Sequence, residues 1–307
     1  MWGAVCATLP DLDAFIPHGD PIRSMTFHRA ESHSLLYLSL AAPLIAWLVS
    51  RIQGDAASFR RWWLLVFLAL IFHPLLDVMT IYGTQLALPF TDYPFSIGSI
   101  FIIDPLFTVP VLVGAIVALA WRGPRALRWN AAGIAVSAVY LAWTFAAQQY
   151  VTSIARDSLR AQGIDARQVE VDPTALNSVL WRVTAMTPES YLEGYYSLLD
   201  SSRNVAFREH ARGAALYERL RGDWNVARVA WFTHGFFKME EHGGRVLITD
   251  LRLGMEPSYG FTFAVFEERG GQLVPIRPQR TGSKPFASPG VNWLWRRLRG
   301  EPLPPVR

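Results

Sequence analysis

Four apolar stretches dominate the first half of the chain. They cover residues 35–50, 62–80, 100–121 and 131–149. A membrane-spanning helix needs about 17–25 mainly apolar residues, so the first stretch is marginal and the third is the most comfortable. Residues 1–9 are also apolar but too short to span, and they lack the features of a signal peptide. We expect this segment to be the end of a helix whose beginning is missing.

After residue 150 the pattern changes to alternating polar and apolar positions separated by turn residues. Residues 153–163 and 209–222 are predicted as helices. The strands are predicted in the segments SVLWRVTAMT, SYLEGYYSLL, VARVAWFTHGFFKME, RVLITDLRLG and GFTFAVFEER. The predicted fold is a membrane α-helical bundle of about four to five transmembrane helices, followed by a soluble α+β domain with an antiparallel sheet. We place the membrane domain at 1–150, the soluble domain at 151–290 and a Pro/Arg-rich tail at 291–307.

Charge supports this division. Residues 1–150 hold 8 Arg, no Lys and 8 acidic residues, whereas the rest hold the other 21 basic and 17 acidic residues. The sequence pI of about 9.4 comes from arginines spread through the second half, without a dense basic run. Nucleic acid is therefore not an expected partner, and membrane lipid is. The single cysteine, Cys6, excludes an intramolecular disulfide framework.

Arginine positions predict the orientation in the membrane. The loops 51–61 and 122–128 each hold three arginines, and tryptophans flank both loops. Both loops lie on one side if the four stretches alternate, and the positive-inside rule makes that side cytoplasmic. The expected location is the bacterial inner membrane, with loop 81–98 and everything after residue 149 outside the cytoplasm.

Ionisable residues gather at the predicted outer ends of the helices. Imidazole nitrogens and carboxylate oxygens at one depth suit a divalent metal, with zinc expected and manganese as the alternative. The candidate metal ligands are Asp11, Asp13, His28, His33, His73, Asp77 and Asp104. His73 and Asp77 are four residues apart, so both project from one helix face. Asp11 and Asp13 lie on opposite sides of an extended backbone, so we expect only one of them to bind metal directly.

Each of these residues also has a structural interpretation. Proline after His73 is compatible with a helix kink, in which the histidine would bond freed backbone groups. Asp104 before Pro105 is typical of a helix N-cap. Asp11 or Asp13 could be a turn residue after Pro10. Together, three histidines and several carboxylates at one membrane face favour a functional site.

The motifs LPDLD, HRAESHSLL, HPLLDVMTIYGTQLALPF and IIDPLF, in this order between apolar spans, resemble those of the YdjM/YbcI-like inner-membrane metal-dependent hydrolases. The β-rich second half resembles the extension that longer members carry. The resemblance implies a membrane-embedded divalent-metal hydrolase and assigns the seven candidate ligands to the family's polar motif positions. Two departures are visible: no preceding helix supplies a further histidine, and RAES separates the two histidines where glycine and threonine are commoner.

A hydrolase mechanism follows from this ligand set. A metal ion would lower the pKa of a water molecule, and Asp13 or Glu31 would take its proton. Arg29 would hold an anionic substrate oxygen, although an interfacial arginine is an equal interpretation. Thr84 and Gln85 could orient substrate or ligands. The expected substrate is a phosphoester, a lipid-linked intermediate or a small ester.

Two other functions remain open. The metal site could be structural, in a non-enzymatic protein whose outer domain binds an envelope partner. The sequence does not show whether the metal would keep a coordination position free of protein ligands, which is what separates a catalytic site from a structural one. An ion or proton pathway would need polar residues at several depths, and the one-sided placement argues against it.

Overall fold

Long apolar helices form the middle of the first half of the chain, and shorter helices lie before and after them. The computed structural model describes residues 2–121, 123–282 and 290–304. Its α-helices are α1 (Trp2–Thr8), α2 (Pro21–Phe27), α3 (Leu35–Ile52), α4 (Phe59–Val78), α5 (Pro105–Ala120), α6 (Pro124–Ala161), α7 (Ala214–Leu220), α8 (Trp224–Phe232) and α9 (Gly290–Leu298). Short 3-10 helices cover Pro10–Phe15, Glu31–His33 and Ala56–Ser58.

The strands follow α6 and form antiparallel sheets. They are β1 (Gln168–Pro173), β2 (Leu180–Met186), β3 (Ser190–Ser197), β4 (Phe207–Ala211), β5 (Phe237–His242), β6 (Arg245–Asp250), β7 (Gly254–Met255), β8 (Ser258–Tyr259), β9 (Thr262–Arg269) and β10 (Gln272–Arg280). One sheet has the order β1-β2-β3-β4 and another the order β10-β9-β6-β5. Neighbouring strands in both are antiparallel, as the sequence predicted.

Among the described residues, three helical segments are long and apolar enough to cross a membrane: Leu35–Ile52, Ala56–Val78 and Pro124–Ala161. The third predicted stretch gives a shorter apolar helix, Pro105–Ala120, so it was wrong to expect the most comfortable span there. Residues 101–104 are not helical, because Asp104 caps the helix and Pro105 begins it. Leucine and valine side chains on α3 to α6 are widely exposed, which suits helices that face lipid tails.

The predicted helix at 153–163 is the end of α6, which continues without a break from the fourth apolar stretch to Ala161. No proline or glycine interrupts residues 134–162, and Gly163 turns the chain with φ 68°. The last turns of α6 are buried on the first sheet, where Val151 and Ile154 pack with Trp181 and Val183. The helix therefore belongs to the core of this sheet as well as to the apolar region.

The segment VARVAWFTHGFFKME contains a helix, so its prediction as strand was partly wrong. Asp223 caps α8 by accepting hydrogen bonds from the backbone of Asn225 and Val226. The buried side chains of Val226, Val229 and Phe232 recur every three residues on one face, and a short apolar run does not separate helix from strand. Strand β5 begins only at Phe237.

The predicted tail also contains a helix, since α9 covers Gly290–Leu298. Residues 283–289 and 305–307 of the Pro-rich region lie outside the described residues.

The chain forms two compact units whose limits differ from the predicted boundaries at 150 and 290. One unit takes the described residues of 1–97, 215–253 and 259–283, and the other takes those of 98–214, 254–258 and 284–307. The first unit holds α1 to α4 and the β10-β9-β6-β5 sheet. Its core joins Ile22, Met25 and Tyr82 to Phe232 and Phe263. As an assignment of membrane and soluble parts, the predicted division stays a prediction.

Helices α5 and α6 of the second unit approach each other closely at two glycines. A side chain at Gly114 would lie 3.0 Å from the backbone of Asn130, and one at Gly133 would overlap the carbonyl group of Pro110. Small residues allow helix backbones to touch in a lipid environment, where apolar burial between helices contributes little. The glycines therefore fix the contact between these two helices.

Candidate metal centre

Two histidines and two aspartates of the first unit direct their polar atoms at one point. The residues are Asp11, His33, His73 and Asp77, and one ligand atom of each lies within 4.8 Å of the others. Nε2 of His33 lies 3.2 Å from Nε2 of His73 and 3.1 Å from Oδ2 of Asp77. Oδ1 of Asp11 lies 3.5 Å from His33 Nε2 and 3.4 Å from His73 Nε2. The group is therefore compact enough for one ion.

Three segments of the chain supply these side chains. His73 and Asp77 project from one face of α4, with 3.5 Å between Nε2 and Oδ2. The helix continues past Pro74 to Val78, and the imidazole of His73 faces the group. His33 ends a 3-10 turn just before α3, and Asp11 lies in the 3-10 helix that follows α1.

The spacing of the four atoms fits a tetrahedral ion. Zinc bonds to imidazole nitrogen and carboxylate oxygen of about 2.0–2.1 Å place tetrahedral ligands roughly 3.3–3.4 Å apart. Five of the six separations between the ligand atoms lie from 3.1 to 3.5 Å. The sixth joins the two carboxylates, which repel each other when no cation lies between them. The donor set suits zinc, copper or iron better than magnesium or calcium, which prefer oxygen ligands.

Asp77 presents one carboxylate oxygen to the centre and uses the other to bind arginine. Its Oδ1 lies 3.2 Å from Nη2 of Arg29, whose Nη1 donates to Thr80 Oγ1 at 3.4 Å. Its Oδ2 is buried and accepts no hydrogen bond from the residues that the structure describes. A buried carboxylate oxygen without a donor costs free energy, and a cation at the centre would offset that cost.

A second layer of contacts orients His33. Ser32 Oγ donates a short hydrogen bond to Oδ2 of Asp13 and lies 2.8 Å from Nδ1 of His33. Because the hydroxyl proton goes to Asp13, the hydroxyl oxygen accepts from Nδ1–H of His33. This tautomer leaves the lone pair of His33 Nε2 directed at the centre. Asp13 also accepts from the backbone N–H of Arg29 at 2.9 Å and lies 2.7 Å from Nδ1 of His28.

Residues 1–151, which carry the whole centre, match the model of a known family, the YdjM inner membrane protein. Over these residues the chain belongs to the YdjM inner membrane protein family. The uncharacterized protein YfhP of Bacillus subtilis (strain 168) is 23% identical over 212 residues, which cover 65% of this chain and 61% of YfhP. The chain therefore spans less than two thirds of that relative's length. No solved structure matches the chain.

In this YdjM-family chain the two aspartates of the DLD motif have different surroundings. Asp11 is half exposed and belongs to the four-residue group, whereas Asp13 is buried beside His28 and Ser32. The neighbouring imidazoles of His33 and His73 hold the pKa of Asp11 well below its ordinary value. Burial would raise the pKa of Asp13, but hydrogen bonds from His28, Ser32 and the Arg29 backbone outweigh it and lower the pKa to about 2. Both groups are therefore carboxylates at neutral pH.

The remaining predicted ligand, Asp104, belongs to the second unit. Its Oδ1 accepts from the backbone N–H of Leu106 at 2.9 Å, and its Oδ2 accepts from the hydroxyl of Tyr140 at 2.8 Å. The backbone contact is that of an N-cap, which was the alternative interpretation of Asp104. Its role as a metal ligand, like those of Asp13 and His28, stays a prediction.

The other predicted site residues take different positions. Glu31 is exposed on its 3-10 turn, and Arg29 is buried against Asp77 and stacks over Tyr82 at 5.1 Å. Gln85 donates to the Thr26 carbonyl at 2.8 Å, and its backbone N–H donates to the Arg29 carbonyl at 2.9 Å. Gln85 therefore holds the loop that carries His28 and Arg29, which fits the orienting role predicted for it. Thr84 is buried and pairs with the backbone of Phe95.

Sequence reasoning missed Ser32 and Tyr82. Tyr82 donates to the Met25 carbonyl at 2.8 Å and contacts the His28 ring edge-on at 5.5 Å. A signal for Ser32 was available, because a hydroxyl next to His33 can reach its Nδ1 atom. Tyr82 had no comparable signal, since its partners are 54 and 57 residues away along the chain.

Proposed function

We propose that the chain is a membrane-bound metal-dependent hydrolase that acts at the outer face of the inner membrane on a phosphoester or lipid-linked substrate. The observation that carries this is the Asp11, His33, His73 and Asp77 group beside a His28–Asp13 pair. Asp11 is 50% exposed, whereas the other three ligand side chains are at most 16% exposed. The centre is thus open on the side of Asp11, from which substrate would approach.

Each residue has a separate task in this proposal. Asp11, His33, His73 and Asp77 would hold the cation, and zinc is the expected one. A bound divalent cation supplies Lewis acidity, which lowers the pKa of water and polarises a phosphoryl oxygen. Arg29 fixes the orientation of Asp77, and Ser32 fixes that of His33. The anion-binding role first predicted for Arg29 fits less well, because its guanidinium already pairs with a carboxylate.

His28 is the general base that the arrangement favours. Its Nδ1 is held by Asp13, and its side chain is 23% exposed, so Nε2 can receive a proton from water. The water oxygen forms a bond to phosphorus while the ester P–O bond breaks. One water proton goes to His28 Nε2 and is passed to the departing alkoxide, which leaves as an alcohol. Asp13, with its oxygens bound to His28, Ser32 and the Arg29 backbone, supports this base rather than acting directly.

A hydrolysis assay of the metal-loaded chain in detergent tests the proposal. Bis(p-nitrophenyl) phosphate and p-nitrophenyl phosphate serve as diester and monoester probes. We expect turnover that a chelator abolishes, and a loss of kcat of about 10²–10⁴-fold in His28→Gln with unchanged metal content. His242→Ala is the matched control, because His242 is exposed at the end of β5. A metal-loaded protein that hydrolyses neither probe nor a phospholipid would contradict the hydrolase.

A structural metal site is the second candidate, in a non-enzymatic protein whose outer domain binds an envelope partner. Four protein ligands at tetrahedral spacing favour it, since structural zinc sites are closed by four protein ligands and catalytic ones keep a position open. In that case metal removal would lower the unfolding temperature, and no ester would be hydrolysed. Substitution of Asp11 distinguishes the hydrolase from the structural site, because Asp11→Asn would open a coordination position on the metal without removing the histidine ligands.

A further inference from the structure

A cavity of about 600 Å³ lies in the first unit beside the candidate metal centre. Its lining includes His28 and Asp13 from the first half of the chain and Arg277 and Arg280 of β10 from the second. Met25, Tyr82, Phe261 and Phe263 add apolar surface. The second half of the chain, which supplies none of the four candidate ligands, therefore supplies part of this cavity.

The cavity lining holds two aspartates and two arginines, and both aspartates already have polar partners. Asp13 is bound by His28, Ser32 and the Arg29 backbone. Asp20 caps α2 and pairs with Arg23 at 3.2 Å. Arg277 and Arg280 donate to carbonyl oxygens, which do not neutralise their charge: Arg277 donates to Gly19, and Arg280 Nε donates to Gly260 at 2.8 Å. An anion in the cavity would complement the two guanidinium groups.

The two arginines are held in place before any ligand binds. The pairing of β10 with β9 is irregular between Pro275 and Gln279, and such bulges turn a side chain away from its regular direction. Arg277 lies in this irregular segment. The Arg280 guanidinium stacks over Phe261 at 4.4 Å. One bond to a carbonyl leaves further N–H groups on each planar guanidinium, which matches the oxygens of a phosphate.

His18 adds a further polar atom to the cavity wall. Its Nε2 is buried and has no hydrogen-bond partner among the residues that the structure describes. Its ring packs on Phe27 at 5.5 Å between centroids, which limits its rotation. A buried ring nitrogen without a partner costs free energy that an oxygen-rich ligand would recover.

One residue that lines the cavity also lies close to the candidate metal centre. The His28 ring lines the cavity, and its centroid lies 6.1 Å from that of His33, a member of the four-residue group. A molecule that fills the cavity would thus contact the residue that we assign as general base.

We propose that this cavity binds a phosphate group of the substrate, with Arg277 and Arg280 as the recognition residues and the aromatic wall against the organic part. The inference rests on the proposed hydrolase and names its substrate class as a phosphate-bearing organic molecule. It also gives the β10-β9-β6-β5 sheet a function, which is to complete the substrate site.

Binding of inorganic phosphate to the metal-free full chain in detergent tests this directly, because no metal ion can then contribute to the binding. We expect the double variant Arg277→Gln/Arg280→Gln to bind phosphate at least tenfold more weakly than wild type. Arg269→Gln is the control, since Arg269 lies on β9 outside the cavity and pairs with Glu267. Arg277→Lys/Arg280→Lys, which keeps the charge, serves if the first variant does not fold. Equal binding by wild type and the folded arginine variants, or no binding by wild type at millimolar phosphate, overturns the proposal.

Two further probes identify where the phosphate comes from. Glycerol phosphate represents a soluble ester, and vesicles of phosphatidylcholine with or without phosphatidic acid represent a lipid headgroup. Competition with inorganic phosphate by either probe, lost in the arginine variants, supports the proposal and assigns the source. Failure of both to compete overturns it.

Kinetics separate this inference from the proposed function. If the cavity recognises substrate, the arginine variants raise KM for phosphate esters and leave metal content unchanged. Hydrolysis with unchanged KM in these variants overturns the recognition site and leaves the hydrolase. Phosphate binding that depends on the arginines, without hydrolysis of any ester, overturns the hydrolase and leaves the binding site.

Discussion

His33 and His73 face each other with their Nε2 atoms 3.2 Å apart, although they are 40 residues apart in sequence. The Nδ1 atom of His33 is bound to Ser32, so its Nε2 carries a lone pair. Two imidazole nitrogens at this distance, flanked by carboxylates of Asp11 and Asp77, need a proton or a cation between them.

Substitution of His73 or Asp77, the two candidate ligands on α4, should abolish metal binding at the centre. We expect purified wild-type protein to hold about one zinc ion per chain, and His73→Ala and Asp77→Ala to lose it, because each supplies one of four ligand atoms. Elemental analysis of the detergent-purified protein measures this, with His242→Ala as the control. Absence of bound divalent metal from the wild type, with unchanged folding of both variants, would refute the metal site.

Ser32→Ala should weaken metal binding without removing a ligand. The hydroxyl fixes the tautomer of His33 through Nδ1, and loss of such a contact typically costs roughly 10–100-fold in metal affinity. Competition with a fluorescent zinc chelator gives the dissociation constant. Ser39→Ala is the matched control, since the Ser39 hydroxyl donates to the Leu35 carbonyl of its own helix. The same dissociation constant in Ser32→Ala and wild type would exclude the orienting role.

Metal affinity should fall as the pH is lowered through the neutral range. Burial lowers the pKa of His33, but the nearby carboxylates of Asp11 and Asp77 outweigh it and raise the pKa above its ordinary value of 6.5. A proton therefore competes with the ion already near neutral pH. The same shift stabilises the metal-free protein fully below the ordinary pKa, and that stability is lost as the pH rises through the raised pKa.

Thermal unfolding in detergent between pH 5.5 and 8.5 measures both effects. The metal-free protein should become less stable with rising pH, and the stabilisation by added zinc should increase. The lowered pKa of Asp11 acts only at more acidic pH, so it does not contribute in this window. His33→Gln should flatten the profile of the metal-free protein. A profile that keeps its slope in His33→Gln would show that another group titrates.

A side chain at Gly133 should separate α5 from α6. It would overlap the Pro110 carbonyl group, so we expect Gly133→Leu to destabilise the chain by about 1–3 kcal/mol or to prevent folding. The thermal midpoint of the detergent-purified protein is the measurement. Gly222→Ala is the control, because no atom of the described residues would lie within 4 Å of a side chain there. An unchanged midpoint in Gly133→Leu would show that the helices do not pack at this glycine in detergent.

The orientation predicted from the arginine loops has its own test. An alkaline phosphatase fused after Arg307 should be active in cells, because that enzyme needs an oxidising compartment to form its disulfides. Fluorescent protein that matures only in the cytoplasm should stay dark at the same position. The reverse pattern would place the second half of the chain in the cytoplasm and overturn the predicted topology.

Local patterns carried most of the information about the centre. The spacing of His73 and Asp77 places them on one helix face, and the polar residues at the start of α3 include His33. The choice of Asp11 over Asp13 could not be made, because the turn PDLDAF folds as a 3-10 helix whose geometry sends the two carboxylates in different directions. The arginines of β10 were missed, since the Arg277 contact to Gly19 spans 258 residues and no local pattern encodes it.

The prediction of secondary structure failed where a short apolar run is compatible with both a helix and a strand. The segment of Val226, Val229 and Phe232 fits a strand by composition and a helix by period, and the cap at Asp223 decides for the helix. The third apolar stretch was overestimated because apolar character alone does not show where a helix begins. Asp104 and Pro105 set that start five residues into the stretch.

The contribution of three separate segments to one centre has a consequence for assembly. An ion held there would cross-link the turn of Asp11, the turn of His33 and helix α4, and would thereby close the chain between residues 11 and 77 into loops. Cross-links of this kind stabilise a protein by restricting its unfolded chain. Metal would then bind only after the amino-terminal turns have docked on α4. A protease that cuts within residues 14–20 would distinguish docked from undocked chains.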